Sequence, residues 1–262
     1  MMDLSTYLKE RSELVDGFLK IRIGVGAISR VDEAMAYSAL AGGKRLRPIL
    51  LMAAADAVGG KGTDFLPLAS ALEMIHTYSL IHDDLPEMDN DDYRRGRLTN
   101  HKVFGQAMAV LAGDGLLTQA FEVMTEQKGV DPALMVEIIH LIARCAGPEG
   151  MVGGQALDIN AEEKHLEPAE MKQLHEAKTG ALFIAAIRSG ALLGGGSKDE
   201  VNALRNLPPF SDLPSKLRMI SSTWKGTAKS WGKWLEWMKR CTNPLTSVFL
   251  PWKEPKPWPL IP

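Results

Sequence analysis

The sequence predicts an all-α protein, a bundle of long helices over residues 1–206 around a buried cavity, followed by a tail, 207–262, that does not complete it. Three observations carry this. From Leu4 to about Leu204 apolar residues recur at three- and four-residue spacing, and no convincing period-two run appears, so strands are not needed. Two stretches, "PLASALEMIHTYSLIHDD" and "AMAVLAGDGLLTQAFEVM", are apolar around most of their circumference, which places them inside a bundle rather than on its skin. The last 56 residues then hold all six tryptophans and nine of the fifteen prolines.

In chain order, helices are expected near 4–22, 29–41, 48–58, 65–84, 103–126, 132–146, 150–158 and 168–194, separated by short breaks carrying Gly, Pro or Asp-Pro. Pro48 suits a first helical turn, because its missing N–H is one the helix start leaves unbonded. In the tail, Trp231 to Arg240 offers one short amphipathic segment before a proline-rich end that cannot continue as a helix.

At 262 residues with 45% hydrophobic content the chain can bury a sizeable core. Its net charge of −2 conceals an asymmetry: the tail takes nine of the 30 Lys/Arg but only three of the 32 Asp/Glu. The two cysteines, Cys145 and Cys241, stand in no ligand-like spacing, so neither a disulfide framework nor a zinc site is suggested. The start of the chain has no apolar run behind a basic segment, and the apolar stretch "ALFIAAIRSGALLGGG" is broken by Arg188. The chain reads as soluble and cytoplasmic, with no transmembrane segment and no nucleic-acid partner.

The chemistry concentrates in "IHDDLPEMDNDDYRRGR", Ile81 to Arg97, where five aspartates and a glutamate precede three arginines at the end of a buried helix. Pro86 interrupts regular structure there and turns Asp83, Asp84 and Asp89 toward a cavity. An EF-hand would need alternating ligands, a central Gly and a distal Glu, and arginines fall inside this stretch instead. A solvated acidic loop accounts for the charge but not for its place behind an apolar run. Magnesium fits better: it keeps several waters, takes one or two carboxylates, and is completed by substrate phosphates, with arginine forks holding the remaining phosphate charge. A second anion site is suggested by "AGGKRLRP", where Gly42 and Gly43 let backbone approach a ligand and Lys44, Arg45 and Arg47 supply charge.

Together "GGKRLRP", "HTYSLIHDDLPEMDNDDYRRG", "LAGDGLLTQAF", "MVGGQALDI" and "HEAKTGALF" resemble the trans-isoprenyl diphosphate synthases, and among them the bacterial farnesyl diphosphate synthases. The resemblance spans about residues 37–184. It implies the isoprenoid-synthase bundle around a central cavity, a homodimer, and condensation of isopentenyl diphosphate with an allylic diphosphate. By the same resemblance, Asp83, Asp84 and Asp89 hold Mg²⁺, and Arg94 grips the allylic diphosphate. Lys44, Arg47, His76 and Arg95 bind isopentenyl diphosphate; Lys178 and Thr179 sit beside the developing cation; Gln155 and Asp158 line the site. His76, Gln155, Asp158 and Thr179 also have plain packing readings, and Asp114 one as a bond between helices. Tyr78, about 7.5 Å along a helix from Asp83, and its neighbour Ser79 set chain length in this reading, with an aromatic there pointing to a fifteen-carbon product. A twenty-carbon synthase and a non-catalytic, diphosphate-binding subunit remain alternatives.

One family feature is absent. A second aspartate-rich helix of the form F-Q-x-x-D-D-x-x-D is expected near residue 213, yet the chain has "LPSKLRMISSTWKGT" and no aspartate pair after Asp212. Codons for Pro214 through Thr227 can be chosen so that the frame starting at each third base reads F-Q-I-A-D-D-I-L-D-V-E-G-D; Met219 and Trp224, with one codon each, both agree. The expectation is a single frameshift shortly after Asn206, with the C-terminal helices missing or replaced and activity impaired.

Overall fold

The computed structural model describes residues 4–24, 29–161 and 167–205; the tail from 207 lies outside the described residues, as do its expected helix and the missing metal helix. The described chain is helical: α1 Leu4–Gly24, α2 Arg30–Ala39, α3 Leu46–Ala57, α4 Leu66–Asp83, α5 Asn100–Phe104, α6 Gln106–Thr125, α7 Pro132–Ala146, α8 Met151–Ala161, α9 Pro168–His175, α10 Ala181–Leu193 and α11 Lys198–Arg205. Asp131 caps α7, its carboxylate accepting from the backbone N–H of Ala133 at 2.9 Å and Leu134 at 3.2 Å, with Pro132 in the first turn.

The bundle is organised around α4, which packs along α6 and α3 and touches α1 and α2; α10 lies against α3 and α7. Leu68, Leu72, Met74 and Ile75 of α4 are fully buried with Leu116 of α6 and Leu51 of α3. Each such side chain contributes on the order of 1.5–3 kcal/mol by leaving water, so the helix that ends in Asp83 is held rigidly. Helix α6 is the one described helix long and apolar enough to cross a membrane, and here it packs along α4 and α2.

Four details depart from the sequence pattern. Two-residue strands, β1 Tyr93–Arg94 and β2 Arg97–Leu98, form an antiparallel hairpin where no strand was expected. Its two-residue turn needs positive φ at both positions, which Arg95 (54°) and Gly96 (76°) supply. Gly105 at φ 89° divides the expected 103–126 helix into α5 and α6. The expected 168–194 helix is interrupted by a π-helical turn, Glu176–Gly180. Helix α11 adds an element beyond the last helix placed, within the stretch whose helical spacing runs to about Leu204; Ser197 and Glu200 form its reciprocal cap, with Ser197 N–H donating to Glu200 Oε2 at 2.8 Å.

Candidate active site

The C-terminal end of α4, the π turn and α8 enclose a hollow of about 380 Å³. Eight of the expected site residues line it: Arg47, His76, Tyr78, Ser79, Asp83, Gln155, Lys178 and Thr179. Apolar wall comes from Met88, Met151, Val152 and Ile159. Residues from four of the five sequence motifs therefore meet in one space.

On the acidic side, Asp83 is half-buried and its carboxyl is pushed up to about 6, chiefly by burial; Lys178 opposes this and Asp89 adds to it. The Asp89 N–H donates to the Asp83 carbonyl at 2.8 Å, folding the loop so that the exposed Asp89 returns beside Asp83. Asp84 turns the other way. It is buried and held by Arg94, at 2.6 Å from Nε and 2.5 Å from Nη2, in the wall of a smaller hollow that Arg95 and Thr77 also line. Arg94 thus spends its fork on Asp84 rather than facing the large hollow. Lys178 Nζ donates to Asp158 Oδ2 at 2.5 Å. The π turn that carries Lys178 sits so close to α8 that a Cβ on Gly154 would lie 2.2 Å from the Lys178 backbone nitrogen. Only glycine allows that approach. Gln155, next along α8, is 8% exposed and both its amide atoms lack a partner at the hollow; a buried amide in that state is built to meet a ligand or water.

The basic side is assembled differently. Arg47 stacks on the Phe183 ring at 4.5 Å and has its Nε buried without a partner. Burial lowers its pKa to about 10, with Glu73 opposing and Arg95 adding to the drop, so it stays charged at neutral pH. His76 is pushed well below the ordinary imidazole range by burial and by Arg47, Arg95, Arg94 and Arg45, and is therefore neutral. Arg95 donates to the Gly42 carbonyl, bringing the hairpin onto the glycine turn. A Cβ on Gly43 would stand 2.7 Å from the Arg95 Nη1, and Gly43 has φ 146°. Lys44 is exposed and lies outside the hollow's lining.

Two expectations change. Arg45 is not a ligand group: its side chain is 0% exposed, donating from Nε to Asp16 at 2.7 Å, from Nη1 to Glu73 at 2.9 Å and from Nη2 to the Ala39 carbonyl at 2.8 Å. Arg94, expected to grip the allylic diphosphate, turns its guanidinium onto Asp84 and is absent from the hollow's lining. His82 Nε2 lies 3.1 Å from the Val110 carbonyl and 3.9 Å from Asp114, while the ring lines the hollow and meets Tyr78 edge-on. Sequence reading passed over Glu73, although a carboxylate inside the apolar run "SALEMIH" demands a buried partner.

The donor set fits a hard divalent cation. Among the described residues no three His, Cys, Asp or Glu side chains converge into a complete cage. Asp83 and Asp89 offer one or two carboxylates beside open space, the arrangement Mg²⁺ uses when water and substrate oxygens complete its shell.

Comparison with known proteins agrees with the fold. The polyprenyl synthetase family model matches residues 28–208. Farnesyl diphosphate synthase of Geobacillus stearothermophilus is 45% identical over 220 residues, covering 83% of this chain and 74% of that protein. Geranylgeranyl diphosphate synthase of Cyanophora paradoxa is 44% identical over 243 residues, 90% of this chain and 81% of that one. Among solved structures, the FPP/GFPP synthase of Zymomonas mobilis superposes with a TM-score of 0.78 at 36% identity, covering 91% of each chain. The chain belongs to the polyprenyl synthetase family. It is accordingly a prenyltransferase, a polyprenyl diphosphate synthase by class.

Proposed function

We propose that this protein joins isopentenyl diphosphate to dimethylallyl or geranyl diphosphate and that its product is farnesyl diphosphate. The supporting observation is a single hollow lined by the Asp83 carboxylate, by Arg47 with a buried, unpartnered Nε, and by the apolar side chains of Met88, Met151, Val152 and Ile159. In this reading Asp83 and Asp89 hold Mg²⁺ on the allylic diphosphate, with Asp84 restrained by Arg94 behind them. The metal supplies Lewis-acid charge that stabilises pyrophosphate as it leaves.

Lys178, in the wall of the hollow, adds positive charge to the same leaving group, while Arg94 acts through the Asp84 it holds. Breaking the allylic C–O bond leaves an allylic cation, which Met88, Met151, Val152 and Ile159 shield from water. Arg47, Arg95 and neutral His76 orient isopentenyl diphosphate so that its alkene attacks the cation, with Lys44 reaching in from the rim. One C–C bond forms, and the proton lost from the new cation goes to the departing pyrophosphate. Thr179 and Gln155 present polar atoms along this path.

Tyr78, 7% exposed in the hollow wall with Ser79 beside it, supports the fifteen-carbon product, because its ring occupies depth that a longer chain would need. Chromatography of products from geranyl diphosphate plus isopentenyl diphosphate tests this: Tyr78→Ala is expected to move product toward twenty carbons, and an unchanged product would refute the assignment.

We further infer that residues 207–262 are out of register with the rest of the chain, so that turnover is reduced by the missing second aspartate helix. The composition break and the end of the family match at residue 208 support this. Sequencing the coding DNA decides it; a shifted frame that fails to spell the aspartate helix removes the idea. Magnesium-dependent turnover at the level of full-length relatives would separately refute impairment. A homodimer in the cytoplasm completes the proposal.

A further inference from the structure

We propose that Arg45 and Glu73 are positioning residues for the isopentenyl diphosphate end of the hollow: a buried ion pair that fixes the Gly42–Arg47 turn and keeps Glu73 from neutralising Arg47 and Arg95. The inference rests on the two-diphosphate reading of the hollow and extends it to residues that touch neither substrate.

The geometry points there from three directions. Arg45 adopts φ 48° and ψ 35°, a left-handed conformation uncommon for a residue with a side chain, at the cap of α3 two residues before Arg47. Its carbonyl accepts from Ile49 N–H at 3.1 Å, starting the helix that carries Arg47. The guanidinium then reaches Asp16 of α1, the Ala39 carbonyl at the end of α2, and Glu73 of α4, with one donor engaged on each nitrogen. One side chain thereby references the glycine turn to α1, α2 and α4 at once. A planar fork with fixed donor directions can do this; an ammonium cannot.

Glu73 stands three residues before His76 on α4, so the two occupy the same helical face. Its side chain is 3% exposed, and it acts electrostatically on Arg45, Arg47 and Arg95 alike. Of these three guanidinium groups only Arg45 bonds the buried carboxylate; Arg47 and Arg95 feel it through space. Asp16, at the 46% exposed end of the bridge, is the second counter-charge. As built, Glu73 is committed to Arg45 at 2.9 Å, which leaves Arg47 with an unpartnered Nε at the hollow. Without Arg45, the same carboxylate would be drawn to Arg47 or Arg95, removing their charge from a bound diphosphate.

A strut that only stabilised the bundle would weaken both substrates equally. This one acts on one end. Isothermal titration of the full chain with isopentenyl diphosphate, and separately with geranyl diphosphate plus Mg²⁺, makes the distinction. Arg45→Gln is expected to raise the dissociation constant for isopentenyl diphosphate by about tenfold or more, the equivalent of one to two charged hydrogen bonds, while geranyl diphosphate shifts by less than about threefold. Adding Glu73→Gln to Arg45→Gln removes the stray carboxylate and is expected to restore isopentenyl diphosphate binding to within about threefold of the parent. Should Arg45→Gln fail to fold, Asp16→Asn at the exposed end tests the same selectivity with a smaller shift, about two- to fivefold. Equal shifts for both ligands, no shift, or a double variant as weak as the single one would overturn the inference while leaving the site reading intact. Absence of isopentenyl diphosphate binding by the unmutated chain would overturn both.

Discussion

The two ends of the hollow solve opposite problems. At the acidic end the carboxylates stand near one another with little internal compensation: Asp83 is half-buried and driven toward protonation, Asp89 is exposed, and only Asp84 has a guanidinium of its own. At the basic end Arg47 is half-buried against the Phe183 ring and Arg95 is exposed, while Arg45 beside them is buried and already held by a committed carboxylate, Glu73. The acidic end is therefore unfinished until a cation arrives, whereas the basic end is organised in advance. On the proposed reading a diphosphate with metal would occupy the first and a bare diphosphate the second, the asymmetry that a head-to-tail condensation requires.

The largest expected effect breaks the acidic end. Asp83→Asn should weaken magnesium-dependent binding of geranyl diphosphate by about 10²- to 10³-fold, the range seen when one element of a charge-stabilising site is lost, and calorimetry in the presence and absence of a chelator reads it directly. The chelator alone should abolish binding there and leave isopentenyl diphosphate binding unchanged; loss of both would mean that the ends are not distinct. Next, Arg47→Met should reduce isopentenyl diphosphate affinity about 10- to 100-fold, from loss of charge-assisted bonds worth about 1.5–3 kcal/mol, without altering the magnesium dependence of the allylic ligand.

Smaller still is the effect of Gly43→Ala, whose Cβ would meet the Arg95 guanidinium at 2.7 Å. Moving that flexible group, together with backbone strain on the order of 1 kcal/mol, should cost isopentenyl diphosphate binding about three- to tenfold. The smallest concerns pH. His76 is held neutral in the folded protein, with its folded pKa below the unfolded value of 6.5. Its contribution to stability is present above that unfolded pKa and is lost as pH falls toward the folded one. Thermal melts should show Tm declining from pH 7 to pH 5, and His76→Gln should flatten part of that decline; an identical slope in the variant would contradict the assignment.

Much of this was legible in the residues themselves. The helical spacing located α1, α3, α4 and α7 closely, because α1 and α7 each bury one apolar face while α3 and α4 are apolar and buried around most of their circumference. The Asp-Pro pair marked the start of α7, and the clustering of aspartate with arginine marked the functional loop. Illegible were the π turn, where one extra residue per turn leaves no trace in apolar periodicity, and the hairpin at Arg95–Gly96, too short to show alternation. The assignment of Arg45 to the substrate failed for a plain reason. Lys44, Arg45 and Arg47 are alike in charge, and only the left-handed backbone at Arg45 sends its side chain inward while Lys44 faces out and Arg47 meets the hollow.

By itself the sequence determined an all-helical chain, a family, and the residue types that metal-assisted diphosphate chemistry needs, because local spacing and composition record what each segment can bury and what charge it carries. Tertiary structure alone decided which charges face substrate and which face one another: Asp84 turned onto Arg94, Arg45 onto Glu73, and Arg47 left with an open donor. Electrostatic pairing depends on distances of a few ångströms between segments far apart in the chain, and those distances exist only once the helices have packed.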